Sequence, residues 1–176
     1  RNPFRFTFHP SAPVADVMYV SDNGDATDRL SWVKKGSNGS WGPGGDGGGF
    51  LSPPDTNHKV MFTQPPSVLG VAIAASGPFA DAGGPVLYLG NWLVPAANGS
   101  ISRWRLVGNE LERAEPIDTA RAFVTGIPAT DMIFGPDGAL YTTECGNNES
   151  IGGWYKITRI RANGGRPPNA SLTTVP

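Results

Sequence analysis

Met132-Ile133-Phe134-Gly135-Pro136-Asp137-Gly138-Ala139-Leu140-Tyr141-Thr142-Thr143-Glu144 decides how this chain is read. An apolar run stops at Gly-Pro-Asp-Gly, and a run of β-branched and aromatic residues resumes at once. Proline fixes one φ and the second glycine is free to take a positive one, so the four residues form a tight turn between antiparallel strands. A third run, Trp154–Arg161, follows after a longer gap. The same order opens the chain, as Phe6-Thr7-Phe8-His9-Pro10, Asp16-Val17-Met18-Tyr19-Val20-Ser21-Asp22-Asn23-Gly24 and Arg29-Leu30-Ser31-Trp32-Val33. A weaker middle copy runs through Val71–Ala74, Val86–Trp92 and Ser100–Leu106. Tyr19, Tyr88 and Tyr141 hold matching places, 69 and 53 positions apart.

Each copy reads as a meander of strand, tight turn, strand, longer loop and strand. Units of this kind build β-propellers. The expected fold is all-β, a partial six-bladed β-propeller of about three blades. The strands expected are Phe4–Phe8, Val17–Ser21, Arg29–Val33, Gly70–Ala74, Val86–Gly90, Ser100–Leu106, Thr130–Phe134, Leu140–Glu144 and Trp154–Arg161. No stretch keeps a helical apolar period for three turns, and Pro116 breaks the best candidate, Glu110–Ala122. An open arc of blades leaves a face and strand edges uncovered, which implies missing neighbours.

The surrounding composition agrees. Charged residues are only 16% of the 176, and glycine and proline together number 41, so many corners join short elements. A net charge of -1 leaves no electrostatic footprint for nucleic acid. No apolar run approaches the roughly 20 residues of a membrane span. The lone Cys145 rules out an internal disulfide framework and a cysteine-rich zinc site. It reads as a small buried hydrophobe. Residues 1–162 form the expected blades, with Gly36–Pro66 a long Gly/Pro-rich loop lacking regular structure. Residues 163–176 read as a linker toward a further module, with a boundary near Asn163. The start at Arg1, inside what reads as a motif, suggests a fragment of a longer protein.

Arg1-Asn2-Pro3-Phe4, Phe8-His9-Pro10 and Tyr19-Val20-Ser21-Asp22-Asn23-Gly24 resemble a blade of the soluble glucose/sorbosone dehydrogenases. Thr130-Asp131-Met132-Ile133-Phe134-Gly135-Pro136-Asp137-Gly138-Ala139-Leu140-Tyr141 is similar to that family's final blade, and the likeness spans roughly residues 1–35 and 68–161. The resemblance implies the C-terminal half of a six-bladed propeller that oxidises a sugar with pyrroloquinoline quinone (PQQ) and Ca²⁺. It implies passage of electrons to an external acceptor and a secreted or periplasmic location. In such a site calcium polarises the quinone carbonyl and cationic side chains hold the cofactor's carboxylates.

Carried over residue by residue, Arg1 and Asn2 would reach the quinone. Gly24 and Asp25 would give Ca²⁺ ligands, through backbone carbonyls in the family pattern, and Asp22 would support that loop. Trp92, beside Asn91 at an inner-strand end, is the candidate for stacking on sugar. The other tryptophans, Trp32, Trp41, Trp104 and Trp154, read as blade packing. The departures are as telling. Gly126-Ile127-Pro128-Ala129-Thr130 lacks the family's arginines, and Asn91-Trp92-Leu93 lacks its lysine. The catalytic histidine belongs to an earlier blade. His9 and His58 read as surface or turn residues. Three readings follow: the dehydrogenase, a quinone-less propeller that binds carbohydrate or protein, and a Ca²⁺-dependent sugar lactonase built on Asp22, Asp25 and Glu144.

Overall fold

The computed structural model describes residues 2–10, 16–24, 28–37, 57–64, 68–92, 99–118, 122–145, 155–162 and 171–175. Within them lie thirteen strands and no α-helix. The first sheet takes β1 (Asn2–Phe8), β2 (Val17–Asn23), β3 (Asp28–Lys34) and β4 (His58–Gln64) in chain order. The second takes β5 (Val68–Ala74), β6 (Val86–Asn91), β7 (Ser100–Val107) and β8 (Arg113–Pro116), with β9 (Val124–Thr125) added to β7. The third takes β10 (Ala129–Phe134), β11 (Leu140–Cys145), β12 (Tyr155–Arg161) and β13 (Ser171–Val175). Every pairing between these strands is antiparallel. The chain is therefore all-β, in three consecutive meanders.

Register makes the repeat physical. Tyr19 lies opposite Thr7 and Trp32, Tyr88 opposite Ala72 and Arg103, and Tyr141 opposite Ile133 and Arg159. The turn read from Pro136-Asp137-Gly138 is present. Gly138 has φ 72°, its N–H donates to the Gly135 carbonyl at 2.9 Å, and Asp137 Oδ1 accepts from the Ala139 N–H at 3.1 Å.

The sheets stack face to face, and alternation along each strand decides what meets what. Val71, Ile73, Leu87 and Leu89 of the second sheet pack on Val17, Tyr19, Leu30 and Trp32 of the first. Their alternate neighbours Ala72, Ala74, Val86 and Tyr88 pack on Met132, Leu140 and Ile160 of the third. Both β5 and β6 are consequently buried along their whole length. Each fully buried Leu or Val there contributes about 1.5–3 kcal/mol. At Gly90 the fit allows no side chain, since an added Cβ would lie 2.6 Å from the Ala129 carbonyl oxygen at the start of β10.

Four sequence expectations change. The loop assigned to Gly36–Pro66 contains β4, whose Val60 and His58 pair with Ser31 and Val33. His58 is thus a strand residue. The linker assigned to residues 163–176 contains β13, which pairs with β12 from Ile157↔Val175 to Arg161↔Ser171, so the supposed boundary near Asn163 falls inside the run of the third sheet. His9 is not a surface residue. It is 4% exposed, and its ring sits 6.4 Å from that of Tyr19. The stretch after Glu110 holds β8 and β9. Trp32 and Trp104 pack in the core between the first two sheets as read, while Trp41 and Trp154 lie outside the described residues.

Two buried phenols are held by backbone carbonyls, the first of them across sheets. Tyr19 donates to the Leu111 carbonyl at 3.0 Å, reaching the β7–β8 turn of the second sheet. Tyr88 donates to the Phe79 carbonyl at 2.7 Å. Burial raises both phenols well above the ordinary tyrosine range, and the nearby Glu112 carboxylate adds to the effect at Tyr19. Unfolded tyrosines ionise near pH 10. Their folded counterparts hold the proton, so this stability is whole below about pH 10 and is lost as pH rises further. Urea unfolding between pH 9 and 12 should show a steep alkaline loss, and Tyr88→Phe should flatten it. Gly90→Ala should lower stability by about 1–3 kcal/mol, read as a reduced urea midpoint, because β10 must move off the second sheet.

Candidate functional site

Three meanders laid side by side bring their equivalent ends together. Ser21 Oγ at the end of β2 donates to the Leu69 carbonyl at the start of β5 at 2.7 Å. Gly90 at the end of β6 lies on Ala129 at the start of β10. Arg5 of β1 and Asp131 of β10 approach to 3.1 Å, so the first strands of the outer sheets meet across β5. Both residues flank irregularities at matching places, between Pro3 and Arg5 and between Ala129 and Asp131. A bulge of this kind re-aims side chains at a sheet's end.

This end, called the rim below, carries a polar repeat. The third residue after each repeat tyrosine is Asp22, Asn91 or Glu144, at 6%, 6% and 4% exposure. Across the next strand the partners are Arg29, Ser100 and Lys156. Asp22 accepts from Arg29 Nε at 2.7 Å, a pair in which both side chains are 9% exposed. Asn91 Nδ2 lies 3.5 Å from Ser100 Oγ. Glu144 accepts a hydrogen bond from Thr158 Oγ1 and faces Lys156 at 3.7 Å. Each sheet thus presents one buried polar group with a polar partner at the same height.

Asp28 organises the loop beside this repeat. Fully buried, it accepts from the Gly24 N–H at 2.9 Å, from Asn23 Nδ2 at 3.2 Å and from the Val68 N–H at 2.6 Å. One carboxylate therefore closes the β2–β3 turn and anchors the first residue of the next sheet. Sequence reading missed it. The available signal was an acidic residue four positions after Gly24, a spacing that lets a short side chain bond backward to turn amides.

The residues singled out from sequence distribute as follows. Asn2 lies at the rim end of β1, paired with Asn23. Gly24 directly follows β2, its N–H held by Asp28, and Trp92 directly follows β6 and is half-buried. These three belong to equivalent ends of two neighbouring sheets. Arg1 and Asp25 lie outside the described residues. Asp22 and Glu144 occupy corresponding places in the first and third sheets and are engaged there by Arg29 and by Thr158 with Lys156. Among the described residues no group of three or more His, Cys, Asp or Glu is placed to hold a metal ion. Of the residues named for the lactonase arrangement, Asp22 and Glu144 lie on the first and third sheets, and Asp25 lies outside the described residues.

PQQ carries several carboxylates, so its cradle needs uncompensated cations. The described cations at the rim are Arg5, Arg29 and Lys156, and each faces a carboxylate of its own, Asp131, Asp22 and Glu144. Arg1, the cation that the family likeness assigns to the quinone, lies outside the described residues. A separate cleft of about 460 Å³ opens at the opposite end of the strands, lined by Asp16, Lys34, Asn57 and Glu110 among others. Its Lys34–Glu110 pair at 2.5 Å is half-exposed and of little energetic weight.

Asp28→Ala should cost roughly 2–4 kcal/mol, because three donors lose one charged acceptor, and the loss should appear as a lower midpoint in thermal or urea unfolding. Arg29→Met should cost a further ~3 kcal/mol by stranding Asp22, and pairing it with Asp22→Leu should restore most of that loss. Compared with known proteins, the chain matches no family model, no curated protein and no solved structure.

Proposed function

We propose that the three meanders are blades of a β-propeller arc, and that their shared rim binds the hydroxyl groups of a carbohydrate without a quinone. The observation that carries this reading is the threefold recurrence of Asp22, Asn91 and Glu144 at one height, with every described rim cation already neutralised. Compensated in this way, the strand ends form a surface with little net charge. Such a surface suits a neutral polyol and not a polyanion. Trp92 sits at the edge of that surface, where an indole face packs against the apolar side of a pyranose ring.

The dehydrogenase reading stays as the second one, because the Gly135-Pro136-Asp137-Gly138 turn and the Asn2 and Gly24 positions match the family pattern. In that reading Ca²⁺ and PQQ would activate a sugar whose electrons pass to an external acceptor. Calorimetric titration with neutral monosaccharides and short oligosaccharides separates the two. Binding is expected without added cofactor, and Trp92→Ala should weaken it about tenfold. Uptake of PQQ with Ca²⁺ at micromolar concentration, followed by dye reduction with aldoses, would instead establish the dehydrogenase. Neither response would remove the rim as a sugar site.

A further inference from the structure

Four Asn-Gly pairs occur in the chain, at Asn23, Asn38, Asn98 and Asn163, and of these asparagines only Asn23 lies among the described residues. An asparagine before glycine is open to deamidation, because the second residue has no side chain to hinder ring closure. The Gly24 nitrogen loses its proton and bonds to Asn23 Cγ, the Cγ–Nδ2 bond breaks, and that nitrogen departs as ammonia with the proton returned to it. Water then opens the cyclic imide to an aspartyl or isoaspartyl residue at position 23. Each part of this step meets a restraint. The Gly24 N–H, whose proton must leave, donates to Asp28 Oδ1 at 2.9 Å, and Asn23 Nδ2 donates to Asp28 Oδ2 at 3.2 Å. A carboxylate so close opposes a second negative charge on the amide nitrogen and so keeps the nucleophile protonated. Asn23 Oδ1 is buried without a hydrogen-bond partner among the described residues, so no donor there stabilises the oxyanion of the addition step. Asn23 is also the last residue of β2, paired with Asn2, and ring closure must leave the extended ψ of a strand.

We propose that Asn23 is a latent deamidation site at the rim and that Asp28 holds it in check. The same carboxylate is fixed from the next sheet by the Val68 N–H at 2.6 Å, so its restraint on Asn23 lasts as long as the first two sheets stay joined there. Their separation frees the Gly24 amide. Conversion then sets a new carboxylate directly after Asp22 in the chain and against Asp28. Like charges at that spacing oppose re-formation of the turn, which makes the change self-reinforcing. The inference depends neither on sugar binding nor on the propeller reading.

Peptide mapping by mass spectrometry tests it, on the 176-residue chain incubated at neutral pH both folded and in denaturing urea. Fragment ions localise the mass gain of deamidation to position 23. The folded chain should convert there at least tenfold more slowly than the unfolded one. Asp28→Asn, shown to be folded by circular dichroism, should convert at least tenfold faster than the folded parent. Asp28→Ser takes its place where Asp28→Asn does not yield folded protein. Gly90→Ala, which loosens the second and third sheets and leaves the Asp28 contacts alone, should keep the parent's rate at Asn23. Equal rates for the folded and unfolded parent, or no acceleration on removal of the Asp28 charge, would overturn the inference. So would a Gly90→Ala rate as high as that of the Asp28 variant, since the protection would then come from folding in general.

Discussion

A phenol sealed between two sheets must find an acceptor, because an unpaired hydroxyl in an apolar layer costs more than the finished bond returns. Much of this molecule follows from that constraint. Tyr19 reaches out of its own sheet to the carbonyl of Leu111, a residue held at φ 56° in the β7–β8 turn. A non-glycine residue accepts that left-handed backbone only where its surroundings demand it. Trp32 adds a second bond to the same turn, donating to the Glu110 carbonyl at 3.2 Å. The turn of one sheet therefore serves as the cap of its neighbour. Around Tyr88 the rings of Phe79, Phe123 and Phe134 lie 5.4–6.5 Å apart in edge-to-face contacts, which sets the spacing of the second and third sheets.

With the faces devoted to packing, polar chemistry is pushed to the strand ends. Arg5 with Asp131, Arg29 with Asp22 and Lys156 with Glu144 differ in exposure and hence in meaning. The first pair is nearly half-exposed and screened by water, whereas the second is almost wholly buried and constrains local geometry more than it adds net stability. Asp28 belongs with the second kind, as a carboxylate whose donors include two backbone N–H groups. Internal compensation of this kind leaves the described rim with little net charge.

The central strands and their order were legible because each combines an apolar run with turn chemistry. Gly135-Pro136-Asp137-Gly138 and the spacing of the three tyrosines were enough to place the meanders. The outermost strands were not legible, for separate reasons. Pro116 broke the helical reading of Glu110–Ala122 and gave no strand signal in its place, yet an edge strand tolerates a residue that cannot donate to the ladder. Val124–Thr125 is too short to show alternation. Ser171–Val175 follows Gly164-Gly165-Arg166-Pro167-Pro168, whose breaker composition masked the β-branched run behind it. At the rim, sequence located Gly24, Asn2 and Trp92 at strand ends but missed Asp28, because its role comes from a contact 40 residues away. His9 was misjudged for a related reason: a histidine before a proline reads as a turn, and only the ring of Tyr19 shows what lies above it.

The first two strands of the middle sheet have no side suited to water. These two strands leave the ribosome before the third sheet exists, and for that interval Ala72, Ala74, Val86 and Tyr88 have nothing to lie against. A nascent chain halted at that point exposes a sticky, strand-rich surface, which is the kind of intermediate that chaperones bind. The domain must therefore be acquired as a whole: excising the last meander would uncover the second one and invite aggregation.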